Sequence, residues 1–264
     1  MLKKRLVPTI LLQNGQVVKS IGFKEYQIIG NPRVAIRFFN AWAVDEIVFL
    51  DTSKKKEYSS LMRSDYNFKT FETFAGIVKD CATICFVPLT VGGGLRTIQD
   101  MRELFAVGAD KVVTNSEAVR RPAFIAEAAE RFGSQAIVVS IDARKKGANS
   151  YEVYTEYGSH ATGLDPVSWA KKAEELGAGE IYLTSIDRDG SHKGYDLDLL
   201  KSVTDAVSIP VIASGGVGKW QDLVDGVQIG KASAVSAANI FHYKEQSTRD
   251  AKRYMAEAGL DVRM

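Results

Sequence analysis

Short apolar runs alternate along the chain with longer, helix-length segments. The short runs predict strands at Arg5–Leu12, Glu46–Asp51, Cys85–Val91, Lys111–Asn115, Ala136–Asp142, Glu180–Ser185, Pro210–Ser214 and Ala232–Ala237. The segments between them carry recognisable helix ends. Asn31-Pro32 offers an N-cap and a first-turn proline before Arg33–Ala43. Pro122 opens Ala123–Arg131, which Gly133 closes, and Asp165-Pro166 opens Val167–Leu176, which Gly177 closes. Eight strands, each followed by a helix-length segment, is the count of a (β/α)8 TIM barrel. Its expected extent is the whole of 1–264, with half-barrels of about 1–132 and 133–264.

The two halves echo one another, which a doubly wound open sheet would not predict. Phe86-Val87-Pro88-Leu89-Thr90-Val91-Gly92-Gly93-Gly94 returns 122 residues later as Ile209-Pro210-Val211-Ile212-Ala213-Ser214-Gly215-Gly216. Each reads as proline, apolar strand and glycine cluster. A helical segment follows each: Thr97–Val107 and Lys219–Ile229. Glycines at such a turn let backbone N–H groups approach an anion, and the helix dipole adds to the attraction. Val44–Asp51 likewise resembles Ala178–Ser185. The first and fifth strands each lead into a second extended piece, Gln16–Lys19 and Tyr151–Tyr154. A two-fold repeat of four βα units accounts for all of this and places two glycine turns on opposite sides of one barrel mouth. The segment Thr52–Asn67 has no echo. After the second strand it belongs to the active-site face, where Lys54–Lys56 reads either as a solvated loop or as a basic loop closing on an anionic substrate.

Alternate residues of a strand share a face. If Arg5, Val7, Thr9 and Leu11 point inward, so do Glu46, Val48 and Leu50, Lys111, Val113 and Asn115, Val138, Ser140 and Asp142, and Glu180, Tyr182 and Thr184. Arg5, Glu46, Lys111 and Glu180 then collect at the N-terminal end, two cations and two anions that can neutralise one another. Such a ring either plugs the barrel floor or gates it. The opposite end collects Asp51, Asn115, Asp142, Thr184, Ser214 and Ile186–Gly190. Asp142 ends an apolar strand there. Partial burial raises a carboxyl's pKa toward neutrality, which makes Asp142 the candidate general acid or base.

Composition narrows the picture little further. Hydrophobic residues are 45% and charged residues 25% of the 264, and 34 basic against 32 acidic residues leave +2, which does not argue for nucleic acid; no apolar run is long enough to span a membrane. Cys81 and Cys85 read as core thiols, and His160, His192 and His242 lack ligand spacing, so no metal and no cofactor are expected. The basic start, Met1–Arg5, precedes a short run holding Pro8, which reads as a first strand and not a signal peptide. A cytoplasmic protein is the expectation.

Several strings, taken in order, resemble the cyclase subunit of imidazole glycerol phosphate synthase. They include Lys3-Lys4-Arg5, Gly15–Lys19, Asp45–Asp51, Thr90–Gly94 and Gly108–Val112. They continue with Phe132–Gln135, Ile141-Asp142-Ala143, Gly177–Ile181, Thr184–Gly190, Gly194-Tyr195-Asp196, Ala213–Gly216 and Ile240-Phe241-His242. The resemblance implies a (β/α)8 barrel that uses ammonia from a separate glutaminase subunit. It implies one phosphate site at Gly94 and Asn115 with Lys19 in a mobile first loop. A second would use Asp189, Gly190, Gly215, Gly216, Ala238 and Asn239. Asp51, Thr184 and Ser214 complete the expected contacts to a phosphorylated small-molecule substrate. Arg5, Glu46, Lys111 and Glu180 match the family's gate to an ammonia passage.

One departure matters most. The family pairs two aspartates, at the ends of strands one and five, for proton transfer. Asp142 supplies one, and Leu11 stands at the other position. The loop after strand two is longer than usual, and Asn239 replaces a serine. Leu11 and the basic loop resemble a divergent branch that works with amidotransferases in surface-polysaccharide pathways, where ammonia makes an amidine on an acetamido sugar. The expectation is therefore an ammonia-using synthase subunit of that branch. The alternatives are an imidazole glycerol phosphate synthase cyclase, a non-catalytic phosphate-ligand-binding activator of the glutaminase, and the related Amadori isomerase of the same pathway.

Overall fold

The computed structural model describes residues 3–58, 71–148, 150–241 and 247–264. Its strands are β1 (Arg5–Gln13), β2 (Gln16–Ile21), β3 (Glu25–Gly30), β4 (Ile47–Asp51), β5 (Leu89–Gly92) and β6 (Lys111–Thr114). They continue with β7 (Ile137–Gly147), β8 (Ser150–Thr155), β9 (His160–Ala161), β10 (Glu180–Ser185), β11 (Val211–Ser214) and β12 (Ala234–Ala237). Parallel pairing runs β1–β4–β5–β6–β7–β10–β11–β12 and returns to β1, so eight strands close a (β/α)8 TIM barrel. The helices are α1 (Pro32–Ala41), α2 (Phe74–Ala82), α3 (Ile98–Ala106), α4 (Ser116–Arg120), α5 (Ala123–Phe132), α6 (Pro166–Glu175), α7 (Leu197–Thr204), α8 (Trp220–Gln228) and α9 (Ser247–Glu257).

The predicted helix starts have the expected chemistry. Asn31 accepts the Arg33 N–H at 2.9 Å, and Asp165 accepts that of Ser168 at 2.8 Å. Thr73 and Asp196 cap α2 and α7 in the same way, at starts that lack the proline signal. Most strand limits shift by a residue or two, and two shift further. The third barrel strand begins at Leu89, not Cys85, because turns from Ile84 to Cys81 and from Cys85 to Ala82 carry the chain out of α2 first. Phe86 in that connection is 86% exposed, so its apolar character marked no strand. The fifth runs on past Asp142 to Gly147, because it pairs with β8 as a hairpin above the barrel rim.

Apolar packing separates into two bodies. The larger lies between barrel and helices and holds Phe39, Phe49, Phe124 and Phe241 among its buried side chains. The smaller fills the barrel interior with Val7, Val48, Val113, Val138, Tyr182, Ile212 and Ala234. Those are the inward positions that alternation assigned on the first, second, fourth, fifth and sixth barrel strands. The repeat is also visible: β1 extends into the hairpin β2–β3, and β7 into the hairpin β8–β9. Their tips meet, since a Cβ on Gly158 would lie 3.0 Å from the Phe23 ring.

Candidate functional site

At the N-terminal end the four charged residues close a ring. Arg5 Nη1 lies 2.6 Å from Glu46, and its Nη2 bonds Glu180. Lys111 Nζ lies 3.1 Å from Glu46 and 2.8 Å from Glu180. Thr90 donates to Glu46 at 2.5 Å. Each carboxylate thus meets both cations, which offsets the cost of burying it. The glutamate side chains are 2% and 4% exposed, whereas Arg5 and Lys111 keep 22% and 21%, so the cations face outward.

At the C-terminal ends of the strands lies a cavity of about 210 Å³. Asp51, Gly94, Asn115, Asp142, Thr184, Asp189, Gly190, Ser214, Gly215, Gly216, Ala238 and Asn239 all line it, with Leu11. Lys19 is the exception. It sits within β2, opposite Gln27, and is not among the lining residues. The expected first loop is a paired hairpin, and it presents Ser20, Phe23 and Tyr26 to the cavity instead.

Asp142 is enclosed on all sides except toward the cavity. Asn115 Nδ2 donates to its Oδ2 at 3.0 Å, and the Ser140 hydroxyl to its Oδ1 at 3.3 Å. Burial raises its pKa to about 7, and the nearby Asp189 charge adds to the rise, while the Ser140 and Thr184 hydroxyls oppose it. A carboxyl that is half protonated near neutral pH can both give and take a proton. Leu11 pairs with Leu50 across β1 and β4, and the two put an apolar wall where a second carboxylate would stand.

Asp189 shares the cavity, also with a raised pKa caused first by burial. Its carboxylate accepts from the Ser20 hydroxyl at 2.6 Å and the Phe23 N–H at 3.3 Å, so it fastens the β2–β3 hairpin to the rim. Burial and the Asp189 charge push Tyr26 up to about 12, which keeps the phenol protonated. Asp51 is committed locally: Ser53 and Tyr58 donate to it at 2.5 and 2.6 Å. Tyr157 donates to the Ser53 carbonyl at 3.0 Å, tying the second hairpin to the same loop.

The two glycine turns face this cavity from different sides, Gly93 and Gly94 from one and Gly215 and Gly216 from the other. Asp100 accepts the N–H groups of Arg96 and Thr97, and Asp222 those of Gly218 and Lys219. Each aspartate thus folds back onto the N-cap N–H and the one before it, and fixes the loop that joins the glycine turn to its helix. Close packing explains the glycines themselves. A Cβ on Gly93 would lie 2.5 Å from the Asp51 carbonyl, and one on Gly216 2.2 Å from that of Gly194. Lys56 reaches the first turn, its Nζ 3.1 Å from where a Gly94 Cβ would be. The rest of the loop after strand two, 59–67, lies outside the described residues, as does His242. Among the described residues, Thr114 Oγ1 and Asn239 Oδ1 are buried without a hydrogen-bond partner, and both residues line the cavity.

Sequence reasoning missed the aromatic lining of Phe23, Tyr26 and Tyr157, and the rim cations Arg96 and Arg120. Arg120 is paired with Glu117 and Glu156. Phe23, Arg96 and Tyr157 come from a loop or hairpin tips, Tyr26 from the short strand β3 and Arg120 from the one-turn helix α4, all too short or irregular for a period to signal which side chain turns inward. Phe23, Glu156 and Tyr157 have φ of +59°, +50° and +59°, uncommon values for side-chain-bearing residues. Among the described residues no group of three or more His, Cys, Asp or Glu is gathered as for a metal ion. No described helix is long and apolar enough to cross a membrane.

Residues 5–247 match the family model described as histidine biosynthesis protein. With a closed eight-stranded barrel and a carboxyl poised at its mouth, the chain belongs to the histidine biosynthesis protein family and is an enzyme of that type.

Proposed function

We propose that this chain is the ammonia-using synthase subunit of a two-part glutamine amidotransferase, and that its acceptor is an acetamido group on a nucleotide-activated sugar. The ion-pair ring carries the reading. Four charges in a closed ring on the barrel axis, below an interior that leads to Asp142, suit the entry of a small neutral molecule from a partner docked on the N-terminal face. A glutaminase subunit would supply that molecule. An isomerase has no use for such an entry.

Leu11 favours amidination over imidazole formation. Asp142 can relay two protons in turn from the attacking ammonia to the acceptor amide oxygen, which leaves as water as a C=N bond replaces the C=O bond. A cyclisation that needs separate acid and base groups lacks its second partner at Leu11. The unpaired Thr114 and Asn239 oxygens and the glycine turns are the groups expected to bind the acceptor's phosphates and hydroxyls. Glycine turns on two sides of the cavity favour the second reading, the imidazole glycerol phosphate synthase cyclase, whose substrate carries a phosphate at each end.

The experiment supplies the purified chain with ammonium chloride and one of two acceptors: a nucleotide-linked acetamido sugar, or the phosphoribulosyl formimino ribonucleotide. Amidine on the sugar with no imidazole product is expected. Rapid imidazole formation would overturn the first reading in favour of the second. Turnover of neither, while glutamine hydrolysis by the partner rises, would point to a non-catalytic activator.

A further inference from the structure

The barrel axis is layered. Arg5, Glu46, Lys111 and Glu180 form the lowest level. Two residues further along the same strands, ~6.6 Å by strand rise, come Val7, Val48, Val113 and Tyr182, joined by Val138, Ile212 and Ala234. Tyr182 is 3% exposed, and it alone in this layer carries a polar atom on its side chain. Its hydroxyl leaves the apolar layer and meets three others: Thr9 at 2.7 Å, Ser214 at 2.8 Å and Ser236 at 3.4 Å. Thr9 and Ser236 are bonded to each other at 2.6 Å. These partners come from β1, β11 and β12, so the side chain of a β10 residue reaches across the interior. Thr9, Tyr182 and Ser214 also line the floor of the cavity.

We infer that Tyr182 is an inner valve on the barrel axis. Its ring, packed among valines, separates the ion-pair level from the cavity. The hydroxyls of Thr9, Ser214 and Ser236 hold the ring in that position and offer hydrogen bonds to a small neutral guest passing it. Hydrated ions are excluded, because the valine layer has nothing to replace their water. A guest the size of ammonia, with both donor and acceptor capacity, can exchange places with one hydroxyl partner at a time. That ammonia is the guest rests on the function proposed above. The layered geometry does not.

The test compares nitrogen sources within each variant. The chain is combined with its glutaminase subunit and the acceptor of the two above that turns over. Initial rates are then measured with glutamine and, separately, with ammonium chloride. The ratio of the two rates removes any effect on the chemistry itself. Tyr182→Phe keeps the ring and the Thr9–Ser236 bond and leaves the Ser214 hydroxyl facing the cavity, so it folds. Its ratio should fall about tenfold, the effect of one lost hydrogen bond to the guest. Tyr182→Leu removes the ring, and its glutamine consumed per product formed should rise above one as ammonia transfer loses control. Unchanged ratio and stoichiometry in both variants, with coupling intact in the parent, would overturn the valve alone. No glutamine-supported synthesis in the parent would overturn the ammonia reading and the valve together.

Discussion

Asp142→Asn separates the proposed catalytic role of this carboxyl from its contribution to stability. In the folded protein Asp142 holds its proton to about pH 7, against an ordinary value of 3.8. Between those values the folded state binds a proton that the unfolded chain has released, so stability falls as pH rises through the window. At ~1.36 kcal/mol per pH unit the ceiling is about 4 kcal/mol. The open edge toward the cavity admits water and relaxation, which reduces this to ~1–3 kcal/mol. Asparagine is neutral throughout. Its oxygen can take the Asn115 N–H, and its amide can donate to the Ser140 hydroxyl, so the local bonds survive. Urea unfolding should therefore find the variant more stable than the parent by ~1–3 kcal/mol at pH 8 and equal to it near pH 4. Its synthetic rate should fall about 10²–10⁴-fold. A variant less stable than the parent at pH 8, or a gain independent of pH, would refute the account of a buried, proton-holding carboxyl.

Further tests address the frame around it. Gly93→Ala, with φ of +133° and a Cβ 2.5 Å from the Asp51 carbonyl, should cost ~2–4 kcal/mol in thermal unfolding. Gly22→Ala has a left-handed backbone but nothing within 4 Å, and should cost only ~1 kcal/mol. Lys111→Met leaves Glu46 and Glu180 to share the Arg5 charge and should destabilise by ~3–5 kcal/mol, read as a shift in urea midpoint. Asp189→Ala should speed hydrogen exchange at the Phe23 amide about tenfold, since that N–H loses its acceptor, while barrel-strand amides stay protected.

What was readable in the chain follows the range of the interactions involved. Strand alternation placed Arg5, Glu46, Lys111 and Glu180 on one level and Asp142 at the mouth, because inward direction on a strand is set by residue count alone. The glycine turns were readable for a similar local reason. The cavity's other walls were not. Phe23, Tyr26 and Tyr157 reach it through hairpins, whose orientation depends on Asp189 and Ser53, residues distant in the chain. The contacts of Asp100 and Asp222 before α3 and α8 are local too, but Lys219 at the second start is not a residue type that marks a helix beginning. Lys19 shows where a role carried over by resemblance and the geometry differ: it alternates with Ser20 along β2, and it is Ser20, with its partner Tyr26, that lines the cavity.

The central claim is that this barrel joins ammonia to an acceptor. Nitrogen-15 ammonium chloride, supplied with the purified chain and the nucleotide-linked acetamido sugar, tests it most directly by mass spectrometry of the product. The account predicts a labelled amidine, one heavy nitrogen per molecule formed, lost in Asp142→Asn. Isomerisation of the pathway's aminoaldose substrate by the same preparation, with no nitrogen taken up from ammonium by any acceptor, would contradict it.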